Sequence, residues 1–284
     1  MTDNIYNQID AVIINALKED IGSGDVTTLS LIPEDNVSEA VFISKEDLVL
    51  AGLPFAERVF QLVDKSLKFK TLKREGSRVR AGSVAARIRG KTKSLLIAER
   101  TALNFLQRLS GIATLTSNYV KAVKGLMVKI TDTRKTAPGL RFFDKYAVRT
   151  GGGNNHRCGL FDGVLIKDNH IAAAGGIGKA VKLARSKVHH LLKVEVEVKN
   201  IPELKEALTA GADVIMLDNM SVGMIKKAVS IIHSKDPAVI IEASGNINLE
   251  NVRRIAETGV DMVSIGALTH SAPAVDISLE ITSA

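Results

Sequence analysis

The second half of the chain repeats one unit, in which a short run of aliphatic residues stops at a polar residue and a segment of helical periodicity follows. The runs are LMVKIT before Asp132, GVLI before Lys167, KVEVEV with Glu195 and Glu197, DVIML before Asp218, AVII before Glu242, and DMVSI before Gly266. Strands that alternate with helices are typical of a parallel sheet, and continuously apolar strands indicate that the sheet is buried on both faces. This pattern therefore predicts an α/β fold.

Polar residues that end parallel strands acquire a functional meaning if the sheet closes on itself. In a (β/α) barrel of the TIM type, the residues at the carboxyl ends of the strands line the active site. We expect six such residues to converge on one mouth: Asp132, Lys167, Glu197, Asp218, Ser244 and Gly266. An open doubly wound sheet is the alternative architecture, although no GxGxxG follows a first strand.

The first hundred residues follow a different pattern. The stretch LKFKTLKREGSRVRAGSVAARIRG alternates like antiparallel strands joined by turns at Gly76 and Gly82. Ile5, Ile9 and Leu17 fall at helical spacing. Helices are expected over 4–19, 54–64 and 94–118. This part of the chain is predicted to form a smaller α+β domain with an antiparallel sheet.

Composition narrows the class of protein. No apolar run approaches the roughly 20 residues that cross a membrane. Cys158 is the only cysteine, so an intrachain disulfide is impossible. The first residues carry acids and no basic flank, unlike a secretory signal. We therefore expect a cytoplasmic protein with no membrane partner.

Basic residues outnumber acidic ones by 38 − 31 = 7, and many of them gather between positions 134 and 170. The Lys and Arg residues of that stretch are Arg134, Lys135, Arg141, Lys145, Arg149, Arg157 and Lys167. They alternate with glycines and a strand, whereas a nucleic-acid surface favours basic residues among stacking aromatic ones. We expect a concave pocket for small anions and no nucleic-acid partner.

Two loops supply the first candidate anion ligands. DTRKTAPGLR places Arg134 and Lys135 after a strand, and a guanidinium binds a carboxylate or phosphate through paired hydrogen bonds. GGGNNHR permits close backbone approach to a ligand and ends in His156 and Arg157. A solvated or flexible loop is the alternative interpretation of each.

Three residues at strand ends carry candidate chemistry. Lys167 suits either a Schiff-base nucleophile or a cationic anchor for a carboxylate. Schiff-base chemistry needs a depressed pKa, and Asp168 is adjacent, so the anchor is favoured. Glu197 and Asp218 end consecutive strands, where carboxylates can hold Mg²⁺ against substrate oxygens. A structural ion pair with a lysine is the alternative for Glu197.

Further candidates lie after the last two strands and on one helix. EASGNI and SIGALTH occupy loops where barrels often bind phosphate, and they offer Ser244, Gly245, Asn246, Gly266 and His270. In SLLIAERTALNFLQRLSGIAT, Arg100, Asn104 and Arg108 recur every four residues as one polar stripe on an otherwise apolar helix. That stripe is either solvated or reaches into the pocket of a partner subunit.

These motifs, in this order, resemble those of the quinolinate phosphoribosyltransferase family over nearly the whole chain. The segments are EDIGSGDVTT, ERTALNFLQRLSGIAT, DTRKTAPGLR, KYAVRTGGGNNHRCGLFDGVLIKDNH, VEVEV, MLDN, EASGNI and SIGALTH. The resemblance implies three regions: an N-terminal α/β sandwich domain over 1–110, an incomplete TIM-like (β/α) barrel of type II phosphoribosyltransferases over 111–270, and a C-terminal tail over 271–284 that packs back on the N-terminal domain.

The resemblance also implies an activity. Enzymes of this family use Mg²⁺ and convert quinolinate and phosphoribosyl pyrophosphate into nicotinate mononucleotide, pyrophosphate and CO₂, a step of NAD biosynthesis. The family implies a homodimer, or a higher oligomer built from it, with the sites at the subunit interface. Because both substrates are negatively charged, they would explain why the predicted pocket is basic.

Roles follow for individual residues by the same resemblance. The quinolinate pocket is implied at Thr133, Arg134, Lys135, His156, Arg157 and Lys167, and the arginine from the neighbouring subunit at Arg100. The acids near Mg²⁺ and the ribose are implied at Glu197 and Asp218, which with Lys167 are the expected catalytic residues. The 5′-phosphate loops are implied at Ser244, Gly245, Asn246, Gly266 and His270.

Two rival functions remain from the sequence. One is a paralogue with this fold and phosphoribosyl site but another acceptor, against which the set Arg134, His156, Arg157 and Lys167 argues. The other is a Schiff-base lyase that uses Lys167. Cys158 follows the His-Arg pair where a bulkier apolar residue is expected, and it is interpreted as part of the pocket wall.

Overall fold

The computed structural model describes residues 2–283, with the side chains of residues 8–282. Ile5 thus lies outside the described side chains. The helices are α1 Thr2–Ile21, α2 Val26–Leu31, α3 Leu53–Val63, α4 Thr92–Ala122, α5 Arg141–Thr150, α6 Asp168–Ala174, α7 Ile177–Lys187, α8 Ile201–Thr209, α9 Val222–Lys235, α10 Val252–Ala256 and α11 Ala267–His270. The strands are β1 Val37–Ser44, β2 Leu48–Val49, β3 Lys68–Thr71, β4 Arg78–Val79, β5 Val84–Lys91, β6 Lys129–Thr131, β7 Val164–Ile166, β8 Val194–Val198, β9 Val214–Asp218, β10 Ile240–Ser244, β11 Met262–Ser264 and β12 Ile277–Ser283.

One compact unit comprises Met1–Leu115, Ala137–Gly152 and Ser271–Ala284. Its four-stranded sheet has the order β12-β1-β5-β3, and every neighbouring pair is antiparallel, as predicted. The rings of Phe42, Phe60 and Phe69 meet in its core. The last strand, β12, pairs with β1 although the two are far apart in sequence. The bounds 1–110, 111–270 and 271–284 stay a prediction.

The second unit comprises Thr116–Thr136 and Gly153–His270. Its six-stranded sheet has the order β6-β11-β10-β9-β8-β7, and each neighbouring pair is parallel. The strands from β7 to β11 therefore follow one another in chain order, and β6 joins at the far end. A doubly wound sheet would reverse its strand order at a switch point. The order is that of a barrel left open between β6 and β7.

Apolar burial explains why these strands are stable on both faces. All five residues of β8 are buried, and so are the first four of β9. Full burial of one Val, Leu or Ile side chain contributes roughly 1.5–3 kcal/mol. Gly211 and Gly259 lie between a helix and the next strand, and both adopt the left-handed conformation, with φ of 78° and 92°, that often ends a helix.

Two predicted strand ends differ from the observed ones. The sequence pattern ends strands at 242 and 266, whereas β10 ends at Ser244 and β11 at Ser264. Ser244 stays in the ladder because it pairs with Asp218 on one side and Ser264 on the other. Within residues 2–283, no helix combines the length and the hydropathy needed to cross a membrane.

Candidate active site

A cleft of about 660 Å³ lies in the second unit at the carboxyl ends of its strands. Thirteen of the predicted site residues line it: Thr133, Arg134, Lys135, His156, Arg157, Lys167, Glu197, Asp218, Ser244, Gly245, Asn246, Gly266 and His270. Apolar residues such as Leu165, Met216 and Ile265 complete the wall. The fold thus gathers residues that are up to 137 positions apart in the sequence, since 270 − 133 = 137.

Two predicted residues lie outside the cleft wall, and the role of Arg100 in a partner subunit stays a prediction. Arg100 lies exposed on α4 of the first unit and does not line the cleft. Asp132, expected at the mouth, is fully buried instead. Its carboxylate accepts hydrogen bonds from the backbone N–H of His156 at 2.8 Å and from the amide of Asn155 at 2.6 Å. The expectation for Asp132 was therefore wrong, and its observed contacts orient the loop that carries His156.

Two arginines provide the fixed positive charge of the cleft. Arg157 donates to the backbone oxygen of Gly163 at 2.8 Å, which holds its guanidinium in place. Burial and the neighbouring charge of Arg134 lower the pKa of Arg157, but a guanidinium stays protonated in proteins. The Nε of Arg134 is buried and has no hydrogen-bond partner in the part of the chain that the structure describes. An anionic ligand would satisfy that buried donor.

Lys167 forms an ion pair with an acid of the next strand. Its Nζ lies 2.9 Å from Oε2 of Glu197, and 45% of the lysine side chain is exposed. A Schiff-base lysine needs an apolar or cationic environment that favours the neutral amine. Lys167 has neither environment, since its side chain is nearly half exposed and faces the carboxylate of Glu197. The geometry therefore favours the anchor for a carboxylate, as expected from the sequence.

In the wall of the cleft, His156 lies between two buried acids. Its Nε2 is 3.3 Å from Oε2 of Glu195 on β8 and 3.4 Å from Oε2 of Glu242 on β10. Glu242 is fully buried, and 7% of Glu195 is exposed. Potential ligand atoms of the three residues lie within 4.8 Å of one another. This group is called the imidazole cluster below.

The imidazole cluster favours a positive charge on His156. Burial by itself lowers the pKa of His156, but hydrogen bonds and charges from Glu195 and Glu242 raise it from 6.5 to about 10. The backbone N–H of Arg157 points at Nδ1 from 2.8 Å, a contact that favours the neutral ring. Two carboxylates within 3.4 Å outweigh one backbone dipole, so the pKa rises. His156 then adds a cation beside Arg157.

The acids Glu197 and Asp218 suit a hard divalent cation. Both line the cleft, and they stand near the ends of the neighbouring strands β8 and β9. Mg²⁺ prefers oxygen ligands and needs only one or two carboxylates when water and substrate phosphates supply the rest. The residues present therefore fit the ion that was predicted from the resemblance.

The far side of the cleft is built from glycine loops. A methyl group at Gly266 would lie 3.0 Å from Cδ of Lys135 and 3.1 Å from the ring of His270. Only glycine lets those two basic side chains approach so closely there. The hydroxyl of Ser264 is buried without a hydrogen-bond partner among the described residues and also lines the cleft. This side offers small polar groups for an anion such as phosphate.

The fold and site together define a class: an enzyme built on an open parallel α/β barrel, with a cationic cleft for anionic substrates at the strand ends. Residues 25–110 match the description "Quinolinate phosphoribosyl transferase, N-terminal domain", and residues 112–280 match "Quinolinate phosphoribosyl transferase, C-terminal domain". The chain belongs to the quinolinate phosphoribosyltransferase family.

Individual relatives agree with this assignment. The chloroplastic nicotinate-nucleotide pyrophosphorylase [carboxylating] of Arabidopsis thaliana is 47% identical over 95% of this chain and 82% of its own length. The mitochondrial quinolinate phosphoribosyltransferase [decarboxylating] 2a of Nicotiana tabacum is 47% identical over 94% of this chain and 80% of its own. The solved structure of nicotinate-nucleotide pyrophosphorylase from Francisella tularensis is 43% identical, with a TM-score of 0.90 over 97% of this chain and 96% of that chain. The predicted family and α/β fold are thus confirmed.

Sequence reasoning missed several residues of the site. Glu242 and Asn219 line the cleft, and Glu195 contacts His156 in its wall. A signal was present for the two glutamates, because a carboxylate within a continuously apolar strand must find a buried partner. No periodic pattern indicates Asn219, whose role depends on backbone conformation.

Proposed function

We propose that the cleft transfers the phosphoribosyl group of phosphoribosyl pyrophosphate to quinolinate with decarboxylation, as one step of NAD biosynthesis. The products are nicotinate mononucleotide, pyrophosphate and CO₂. One observation carries the proposal. In a chain of this family, basic residues, the acids Glu197 and Asp218, and glycine loops line a single cleft. The printed names of the relatives describe this reaction.

The cationic wall suits a pyridine ring with two carboxylates. Arg134 and Arg157 offer planar guanidinium groups for paired hydrogen bonds, and Lys167 offers a point charge at the opposite strand end. Thr133, Lys135 and His156 lie in the same wall. These groups would hold the ring so that its nitrogen faces the sugar, which contributes through proximity and orientation.

Other residues of the same cleft suit the phosphoribosyl group. The small polar and glycine residues Ser244, Gly245, Asn246 and Gly266, with His270, would bind the 5′-phosphate. Glu197 and Asp218 are the residues that would hold Mg²⁺, which when bound neutralises charge on the departing pyrophosphate. Charge develops at the anomeric carbon and on the leaving group, and the preformed charges of the cleft stabilise that separation.

Decarboxylation needs no covalent bond to the protein under this proposal. After the transfer, the ring nitrogen carries a positive charge, which stabilises the electron pair left on C2 when the bond to the 2-carboxylate breaks and CO₂ departs. A proton from solvent then adds to C2 and gives nicotinate mononucleotide. Lys167 and the arginines position that carboxylate and the ring. The ion pair of Lys167 with Glu197 supports the anchor role over the Schiff-base lyase. Borohydride with a carbonyl substrate should leave Lys167 unmodified.

Turnover with defined substrates tests the proposal. Quinolinate, phosphoribosyl pyrophosphate and Mg²⁺ should yield nicotinate mononucleotide and CO₂ in equal amounts, and nicotinate in place of quinolinate should yield neither. Arg157→Ala should reduce turnover at least ~100-fold, because one charge-assisted pair is lost. Arg185→Ala is the matched control, since Arg185 forms an exposed ion pair with Asp213 away from the cleft. Turnover of nicotinate alone, or of another acceptor, would favour the paralogue.

We also propose a homodimer in which Arg100 completes the cleft of the partner subunit. Its exposed position on α4 and its absence from the wall of its own cleft support this idea. Arg100→Ala and Arg157→Ala should each be inactive, and a mixture of the two should regain about a quarter of the wild-type sites, because half of the dimers then carry one intact site. A mixture as inactive as its parts would contradict the shared site.

A cytoplasmic location is proposed from the lone Cys158, which is consistent with a reducing compartment. Fractionation of the source cells tests it, because the plant relatives carry chloroplastic and mitochondrial names. Recovery in a membrane or organellar fraction would contradict the proposal.

A further inference from the structure

Two asparagines of the cleft have an unusual backbone conformation. Among residues 2–283, Asn219 and Asn246 are the non-glycine residues with positive φ, at 53° and 51°. Each follows the end of a strand, β9 for Asn219 and β10 for Asn246. A side chain in this left-handed region costs roughly 1–2 kcal/mol, least for Asn and Asp. That both line the same cleft indicates a functional constraint at this place.

Asn219 connects two parts of the cleft through hydrogen bonds. Its Nδ2 donates to Oδ2 of Asp218 at 2.9 Å, and its Oδ1 accepts from Nδ2 of Asn246 at 2.9 Å. Its backbone N–H donates to the oxygen of Ser244, also at 2.9 Å. A carboxylate only accepts, so the contact with Asp218 fixes which end of the amide carries the hydrogens. One side chain thus joins the acid of β9 to residues 244–246.

The packing around Asn219 explains the glycine at position 245. A methyl group at Gly245 would overlap the whole amide of Asn219, and Gly245 itself has a φ of 91°. The backbone of Gly245 therefore packs directly against the side-chain amide of Asn219. Asn246 is held from its other side, because the amide of Asn251 donates to its backbone oxygen at 2.9 Å. The loop 244–246 is built around Asn219.

We propose that Asn219 is a positioning residue that sets the arrangement of Asp218 relative to loop 244–246 and thereby the binding of phosphoribosyl pyrophosphate. The inference rests on the proposed function, in which Asp218 serves the cation and ribose and the loop serves the 5′-phosphate. Asn219 acts through those groups. Quinolinate is assigned to other residues of the cleft, among them Arg134 and Arg157, so its binding should be independent of Asn219.

The role requires an amide and a left-handed backbone, and two substitutions separate the requirements. Asn219→Asp tolerates the backbone but has no donor, so it places a second carboxylate against Asp218. Asn219→Gly keeps the backbone conformation and removes the amide. If only backbone strain mattered, the glycine variant would bind phosphoribosyl pyrophosphate like the wild type. If the amide matters, both variants lose affinity.

Steady-state kinetics with both substrates varied, and calorimetric titration with phosphoribosyl pyrophosphate and Mg²⁺, test the proposal on the full-length protein. Asn219→Asp should raise the KM and Kd for phosphoribosyl pyrophosphate about 10- to 100-fold, since a hydrogen bond to a charged group is replaced by repulsion. Asn219→Gly should raise them by a smaller factor. The KM for quinolinate should stay within about twofold of the wild type in both.

Gly211→Ala is the matched control. Gly211 has a φ of 78° and open space around it, so alanine there introduces left-handed strain outside the cleft. It should change the melting temperature without changing either KM. Equal rises in both KM values for the Asn219 variants, or an unchanged KM for phosphoribosyl pyrophosphate, would overturn the inference. A wild-type protein that neither binds nor turns over phosphoribosyl pyrophosphate would instead overturn the proposed function.

Discussion

Replacing Glu242 by glutamine tests how strongly the imidazole cluster holds a proton on His156. The substitution keeps the shape of the side chain and removes its charge. Glu242 is fully buried on β10, so solvent does not screen its interaction with the imidazole 3.4 Å away. Glu195 stays in place at 3.3 Å and becomes the single remaining acid. The change in the pKa of His156 then measures the contribution of Glu242 to that pKa.

The expected size of the change follows from the geometry. The two carboxylates lie at nearly equal distances, so we assign them equal contributions. Together they outweigh the cost of burial by 10 − 6.5, about 3.5 pH units. Each then contributes about half of that difference, on the order of 2 kcal/mol. Glu242→Gln should lower the pKa of His156, because one of the two acids that raise it is lost.

Titration of the histidine ring protons by NMR measures this directly, with the signal of His156 identified by its loss in His156→Gln. Glu257→Gln is the matched control, because Glu257 forms an exposed ion pair with Arg253 and is remote from the cluster. The control should titrate like the wild type. A wild-type midpoint near 6.5, or the same midpoint in Glu242→Gln, would refute the reasoning.

The same cluster predicts how stability changes with pH. The pKa of His156 is raised in the folded state, so the stabilisation is complete below pH 6.5 and is lost as the pH rises to about 10. The full difference of about 3.5 pH units corresponds to at most ~5 kcal/mol. Urea unfolding at pH 6.5, 8 and 9.5 should show a shallower loss for Glu242→Gln than for the wild type.

Three further changes have defined outcomes. Lys167→Met should raise the KM for quinolinate at least ~10-fold, because a cationic anchor for its carboxylate is lost, and should leave the KM for phosphoribosyl pyrophosphate nearly unchanged. Initial-rate kinetics measure both KM values, and an equal rise in both would contradict the anchor role. Removal of divalent cations by EDTA should abolish turnover and excess Mg²⁺ should restore it, whereas turnover that persists in EDTA would exclude the predicted cofactor. Gly111→Ala should lower the free energy of unfolding by about 1–3 kcal/mol or more in urea, because its methyl group would overlap the backbone oxygen of Pro273. Gly223→Ala, in a helix with open space, is its control and should be neutral or stabilising.

Much of the fold follows from periodicity alone. Continuously apolar runs ending in polar residues gave the parallel sheet, because strands covered on both faces leave no position for a solvated side chain until they end. The same rule brought Lys167, Glu197 and Asp218 to one cleft. The order of the strands, and the opening between β6 and β7, are not encoded in any local pattern. They depend on which strands pair over long distances.

The errors of the sequence interpretation share one physical cause. Asp132 follows a strand like the other polar residues, yet it is fully buried and accepts bonds from Asn155 and His156. The cost of burying a carboxylate is offset where nearby donors satisfy its oxygens. Local sequence does not reveal whether such donors fold back onto it. Glu242 was overlooked for the same reason, since its partner His156 is 86 residues away, 242 − 156 = 86.

Acids inside a cleft meant for anions serve a purpose that follows from electrostatics. Arg134, Arg157, Lys167 and a protonated His156 would repel one another if they stood alone in a partly buried wall. Glu197 offsets Lys167, and the two acids of the imidazole cluster offset His156, so the cations are fixed in place before any substrate arrives. The guanidinium of Arg134, with a buried Nε that lacks a partner among the described residues, remains for the ligand. Because the carboxylates hold the cations in position, little rearrangement is needed when an anionic substrate binds.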